Sequence, residues 1–208
     1  MKYFGLITLI LGLTFYSCSN NKPKTDKSKK QTEGLEATEV SKNREEIQQL
    51  IRQVLIWSDS KGTIDLLPVL SDSKDSVYIG FDLDKLKVNL DKLRQTGFFT
   101  TEFIENYNQI IQTLDKKLRN KEFKDWLIGD LPTFNFVNDI NPWCLCQGFS
   151  PEDFDDVEII KLNSISGELN WKWEKVSSWN DFIFRVKKEN NKWKISYMEG
   201  FDFNASTR

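Results

Sequence analysis

The chain has 208 residues with 29 basic and 31 acidic side chains, a formal net charge of −2. So balanced a charge gives no electrostatic footprint for nucleic acid. It contains no histidine, which excludes Ser-His-Asp and Cys-His nucleophiles, histidine general bases and histidine metal sites.

In chain order, the first feature is MKYFGLITLILGLTFYSC. A single Lys2 precedes a mostly apolar stretch from Gly5 to Phe15, about eleven residues, the size of a signal-peptide core. A spanning helix needs roughly 20 apolar residues, so a permanent transmembrane helix is not expected. The apolar run ends at Cys18, and Thr14-Phe15-Tyr16-Ser17-Cys18 resembles a bacterial lipobox. That resemblance implies cleavage after Ser17 and a diacylglycerol on the Cys18 thiol. The plain alternative is an ordinary signal peptide that leaves Cys18 as a free thiol. Acyl chains contribute about 0.8 kcal/mol per buried CH₂, so several together anchor firmly. Residues 1–17 are therefore read as a lipoprotein signal peptide. Residues 18–42, polar and free of aromatics, are read as the lipidated cysteine and a disordered tether. The expected partner at this end is membrane lipid, through Cys18. Ser19 after Cys18 resembles lipoproteins of the outer membrane, facing the periplasm.

Residues 43–208 are read as one domain of about 165 residues, large enough for a real core. Aromatics make up 13% of the chain, with seven Trp and fifteen Phe. Ile47, Leu50, Ile51, Val54 and Trp57 recur at helical spacing and predict a helix over 44–57, with Asn43 and Glu46 as its capping box. Residues 58–81 read as turns, with VYIGF (77–81) as a short strand or extended lead-in. Leu83, Leu86, Leu90 and Leu93 predict the next helix, stopped by Gly97. A third helix begins at the N-cap Thr100 and buries Ile104, Tyr107, Ile110, Ile111, Leu114 and Leu118. KEFKDWL (121–127) reads as a short helical turn.

Near residue 130 the apolar period changes from helical to alternating. TFNFVN (133–138), VEIIKLNSI (157–165), GELNWKWEK (167–175), DFIFRVKK (181–188) and KWKISYM (192–198) are strand candidates. The last places Trp193, Ile195 and Tyr197 on one face. Glu189-Asn190-Asn191 joins the last two as a hairpin, because Asn tolerates positive φ. Helices followed by an antiparallel sheet define an α+β class, with the N-terminal helices packed on a C-terminal curved sheet.

Three groups carry chemistry. Asp139, Asn141, Cys144, Cys146 and Gln147 form a polar loop around Trp143. Cys144 and Cys146 are a local disulfide, two reduced, packed thiols, or a redox-active pair, though no CxxC or thioredoxin-like pattern supports the last; with no histidine they are too few ligands for a metal. Trp171, Trp173, Trp193 and Tyr197 are candidates to line an apolar ligand pocket on the sheet. Glu152, Asp153, Asp155, Asp156 and Glu158 are an acidic cluster without EF-hand spacing, read as a solvated loop rather than a calcium site. No cofactor motif is present.

The closing hairpin FRVKKENNKWKISYMEGFD (184–202), the helix start FFTTEFIENYN and the segment NPWCLCQ resemble the cone-shaped, cystatin-like or nuclear-transport-factor-like domains of uncharacterised bacterial lipoproteins. In some of these the loop reads Asp-Pro, an apolar run, then Gln-Asp; here Asn141 and Gly148 replace the two Asp residues. The fold hosts enzymes, ligand binders and interaction modules alike. The expectation is a non-enzymatic, membrane-anchored binding module for a small ligand or an exported protein. The alternative is an inhibitor- or immunity-type protein acting on another exported protein. An enzyme would need two converging buried carboxylates, and the sequence presents no such pair.

Overall fold

A computed structural model describes residues 27–60, 63–72, 74, 76–147, 157–163, 168–173 and 182–208. The signal peptide, Cys18 and the acidic residues 152–156 lie outside the described residues. The chain divides into two compact units, Met1–Ala37 and Thr38–Arg208. In the first, the described residues are helical. The second holds all the packing that follows.

Helix α1 runs Lys27–Asp59 and starts well before the expected residue 44. Residues 27–42, expected as a disordered tether, are thus helical. Lys and Glu supply seven of these sixteen residues, and both favour helix. Asn43 is consequently an interior helical residue rather than a cap; its Oδ1 accepts from Lys188 Nζ (3.3 Å). Glu46 pairs with Lys42 one turn back (3.8 Å). The expected stripe of Ile47, Leu50, Ile51 and Val54 is buried, with Trp57 packed against the core.

Strands β1 (Val69–Asp72) and β2 (Val77–Phe81) form an antiparallel pair. Helix α2 (Leu83–Thr96) is capped by Asp82, whose side chain accepts from the N–H groups of Asp84 and Lys85. It ends at Gly97, whose φ of 71° is the left-handed conformation that glycine adopts without a Cβ clash. Leu86, Leu90 and Leu93 are buried, whereas Leu83 in the first turn is 49% exposed and falls outside the expected stripe. Helix α3 (Thr101–Arg119) starts at Thr100, whose Oγ1 accepts from the Phe103 N–H (3.2 Å). All six apolar residues assigned to its inner face are buried.

Residues 121–127 form no helical turn. Tyr78 N–H donates to Trp126 O and Ile128 N–H to Ser76 O, both 2.9 Å, so this segment runs beside β2 and satisfies its edge. Residues 133–138 form no strand either. Phe134 and Phe136 are buried within a series of bends, Phe134 against Phe81, Phe123 and Trp126, and Phe136 against Tyr107 and Phe201.

Strands β3 (Val157–Asn163), β4 (Glu168–Trp173), β5 (Phe182–Glu189) and β6 (Lys192–Met198) make a four-stranded antiparallel meander in sequence order. The β5–β6 turn uses Asn190 (φ 51°) and Asn191 (φ 60°), two consecutive positive-φ residues that match the strand twist. Beyond β6, Ile195 N–H donates to Phe98 O (2.8 Å) and Thr100 N–H to Ile195 O (2.9 Å). The start of α3 thereby covers that sheet edge. A 3-10 turn (Glu199–Phe201) and a short helix α4 (Phe203–Ser206) close the chain. The fold is α+β, helices first and antiparallel sheet last.

Candidate functional site

Aromatic rings form the floor on which the polar loop rests. Phe99 stacks on Phe103 with centroids 4.6 Å apart, and Trp143 packs on Phe201 (4.6 Å), Trp57 (5.6 Å) and Phe99 (5.7 Å). Trp143 is 3% exposed. The loop around it is therefore nailed to the core at its middle.

Its backbone is fixed by local bonds. Asn141 N–H donates to Cys146 O (2.9 Å), Cys144 N–H to Asn141 O (3.2 Å), and Trp143 N–H to Asn141 Oδ1 (3.0 Å). Cys144 and Cys146 form a disulfide with Cα atoms 5.1 Å apart. Both are buried. Val137 (φ 57°), Asp139 (φ 58°) and Leu145 (φ 50°) occupy the left-handed region. For Val and Leu this conformation is costly, and it persists where surrounding contacts over-determine it. Gln147 Nε2 donates to Asp139 Oδ2 (3.1 Å) and ties the two ends of the loop.

Asp139, Asn141, Cys146 and Gln147 line an open cleft of about 580 Å³. Its opposite wall comes from the end of α1 (Ser58, Asp59) and the connection Ile64–Leu66. That connection is held from beneath. Asn89 Nδ2 donates to Asp65 O (2.6 Å), and the Tyr107 hydroxyl donates to Leu66 O (3.2 Å). Burial pushes the Tyr107 phenol well above its ordinary value, so it stays a donor. Asp59 and Asp65 were not singled out from the sequence; they lie more than seventy residues before the loop, and no local pattern marks them.

Of the expected aromatic pocket, the two described side chains, Trp193 and Tyr197, do not come together on one face. A bulge in β6 pairs Arg185 with Tyr197 and Val186 with Ile195, leaving Ser196 as the extra residue. Ile195 and Met198 are buried with Val186 and Phe184, while Tyr197 turns to the other face, its ring 4.4 Å from the Arg185 guanidinium. Tyr197 therefore does not share a face with Trp193 and Ile195. Its hydroxyl donates to Asp202 Oδ2 (3.3 Å), and burial, reinforced by the Asp202 charge, pushes its pKa up to about 12. Trp193 lines a separate cleft of about 890 Å³ between α1 and the tip of the β5–β6 hairpin. Lys188 Nζ sits 5.0 Å from the Trp193 ring. Trp171 pairs in register with Ile159 and Phe182, and Trp173 with Val157; their side chains, and that of Glu158, lie outside the described positions.

Fold and site together define a small α+β domain in which a disulfide-closed, core-anchored loop forms one wall of an acid-rimmed cleft. Comparison with family models, curated proteins and solved structures gives no match. No helix among the described residues is long and apolar enough to cross a membrane.

Proposed function

We propose that this protein is an exported lipoprotein, anchored through Cys18 to the outer membrane on its periplasmic side, whose domain is a non-enzymatic binding module. The observation that carries the binding reading is the cleft between residues 58–66 and 137–147. Its loop wall is held by the disulfide, the Asn141–Cys146 pairing and Trp143. Such rigidity lowers the entropic cost of binding, and loops on a rigid scaffold are where binding residues concentrate.

The cleft favours a protein partner over a small molecule. It is open, and Leu131 and Ile140 on its rim are 56% and 43% exposed, as expected of a docking surface. An inhibitor- or immunity-type role against another exported protein fits the same surface. Catalysis is disfavoured, because Asp59, Asp65 and Asp139 stand exposed instead of converging as a buried pair with separated proton affinities. The proposed kinship to cystatin-like lipoprotein domains is supported by the helix-then-sheet order and the Asn190-Asn191 hairpin.

Two experiments test the reading. Cys18→Ala moves the protein out of the membrane fraction; retention there contradicts the anchor. Mild cross-linking in intact envelopes, followed by purification and mass spectrometry, yields one stoichiometric partner that is lost in Asn141→Ala with Gln147→Ala. A partner retained by that variant contradicts the cleft.

A further inference from the structure

We infer that the cleft takes a cationic segment of a partner protein: a lysine or arginine flanked by apolar residues. This rests on the binding reading above and specifies its chemistry. The cleft mixes polar and apolar surface in about equal parts, and its charged lining groups are all of one sign. Trp143 lies beneath, Leu131 and Ile140 stand at its edge, and Asp59, Asp65 and Asp139 surround it. Among the described residues, none of the lining side chains is Lys or Arg.

Two of the carboxylates are already oriented. Asp65 Oδ1 accepts from the Leu67 N–H (3.1 Å), and Asp139 Oδ2 accepts from Gln147 Nε2 (3.1 Å). A carboxylate offers about four lone-pair sites, so one such bond leaves capacity for a further donor. The acids are not gathered into a metal-holding group among the described residues. They act instead as separate acceptors around a slot that Trp143, Leu131 and Ile140 make partly apolar. Lysine and arginine match that arrangement, since their stems lie on apolar surface while the charged head stays at the rim. An acidic segment would place like charge against the rim and bring the carboxylates no further donor.

The test uses the full chain in detergent, with the side-chain amide signals of Asn141 and Gln147 followed by NMR. Three blocked peptides are titrated, acetyl-Gly-Leu-Xaa-Ile-Gly-amide, with arginine, glutamine or glutamate at the centre. The arginine peptide perturbs both amides and binds about tenfold tighter than the glutamine peptide. Asp65→Asn combined with Asp139→Asn, its fold checked by circular dichroism, removes that tenfold advantage. Raising salt from about 50 to about 500 mM weakens the arginine peptide selectively. Equal binding of the glutamine peptide overturns the cationic inference and leaves the binding reading standing. Spermidine binding as well as the arginine peptide overturns the protein-segment assignment. If no peptide moves either amide, the inference fails, and cross-linking from the cleft in intact envelopes decides the parent reading separately.

Discussion

Gly200 and Pro142 meet backbone to backbone. A Cβ on Gly200 would lie 2.0 Å from the Pro142 carbonyl oxygen and 2.6 Å from its carbon. Only a residue without a side chain permits this approach, and the approach seats the loop so that Trp143 reaches Phe201 at 4.6 Å. Gly200→Ala must displace the backbone of one segment. Overpacking of this kind costs about 1–3 kcal/mol. The expected outcome in urea unfolding is a loss in that range, with the NMR signals of Asn141 and Gln147 shifted and those of α2 unchanged.

Asp115 and Arg119 fasten β2 to α3. Arg119 Nε donates to both carboxylate oxygens at 2.9 Å, and the Phe81 N–H donates to Asp115 Oδ1 (2.7 Å). Asp115 is 9% exposed, while the Arg119 side chain is about half exposed. Removal of the carboxylate therefore strands a buried N–H more than it strands a charge. Asp115→Ala is expected to cost about 1.5–3 kcal/mol, the range for hydrogen bonds to charged groups. Asp115→Asn should cost less, because its amide oxygen can still accept from Phe81. Denaturant unfolding of both variants checks the order.

Two phenols make stability fall at high pH. The Tyr197 pKa is raised from 10.0 to about 12, and Tyr107 is also raised, in both cases chiefly by burial. Above the unfolded value the native state holds more protons than the unfolded chain, so the free energy of unfolding decreases as pH rises. The contribution is complete below pH 10 and is lost progressively from pH 10 upward, through about 12 for Tyr197. Urea midpoints measured from about pH 8 to about pH 12 should decline only in the upper half of that range. Tyr197→Phe should make the decline shallower without abolishing it, because Tyr107 remains.

The disulfide closes a very short loop, so its effect on the unfolded chain is small. Cys144→Ser with Cys146→Ser is expected to cost about 1–2 kcal/mol on loop-entropy grounds. Its effect on the cleft should be larger than that figure suggests, because Leu145 is held at a positive φ between the two sulfurs. The measurement is urea unfolding alongside the Asn141 amide signal, which should broaden in the variant.

Much of the fold was legible in the sequence, and the failures have physical causes. Helices α2 and α3 announced themselves through period and caps, Thr100 and Gly97 included. The β5–β6 hairpin was readable from two adjacent asparagines. The alternation Phe134-Asn135-Phe136 misled, because two aromatic rings can be buried from a bend as well as from a strand. Strand β1 was hidden because Val69-Leu70-Ser71-Asp72 has no alternation to reveal it. Among the described side chains the aromatic face failed at Tyr197, since the Ser196 bulge reverses the side-chain phase before it. Of the candidate site, the loop half was legible from its odd composition. The wall carrying Asp59 and Asp65 was not, because only tertiary packing through Asn89 and Tyr107 brings it opposite Asp139.

The most direct test of the cleft as the binding site is site-specific photocross-linking of the full-length protein in intact envelopes. A photoreactive amino acid replaces Ile140 at the cleft rim, or Val88 on α2 as a control of similar exposure (43% and 55%). The account predicts one discrete protein adduct from position 140, reduced by Asp65→Asn with Asp139→Asn and missing from position 88. An adduct of equal yield from both positions, or none from position 140, would contradict it.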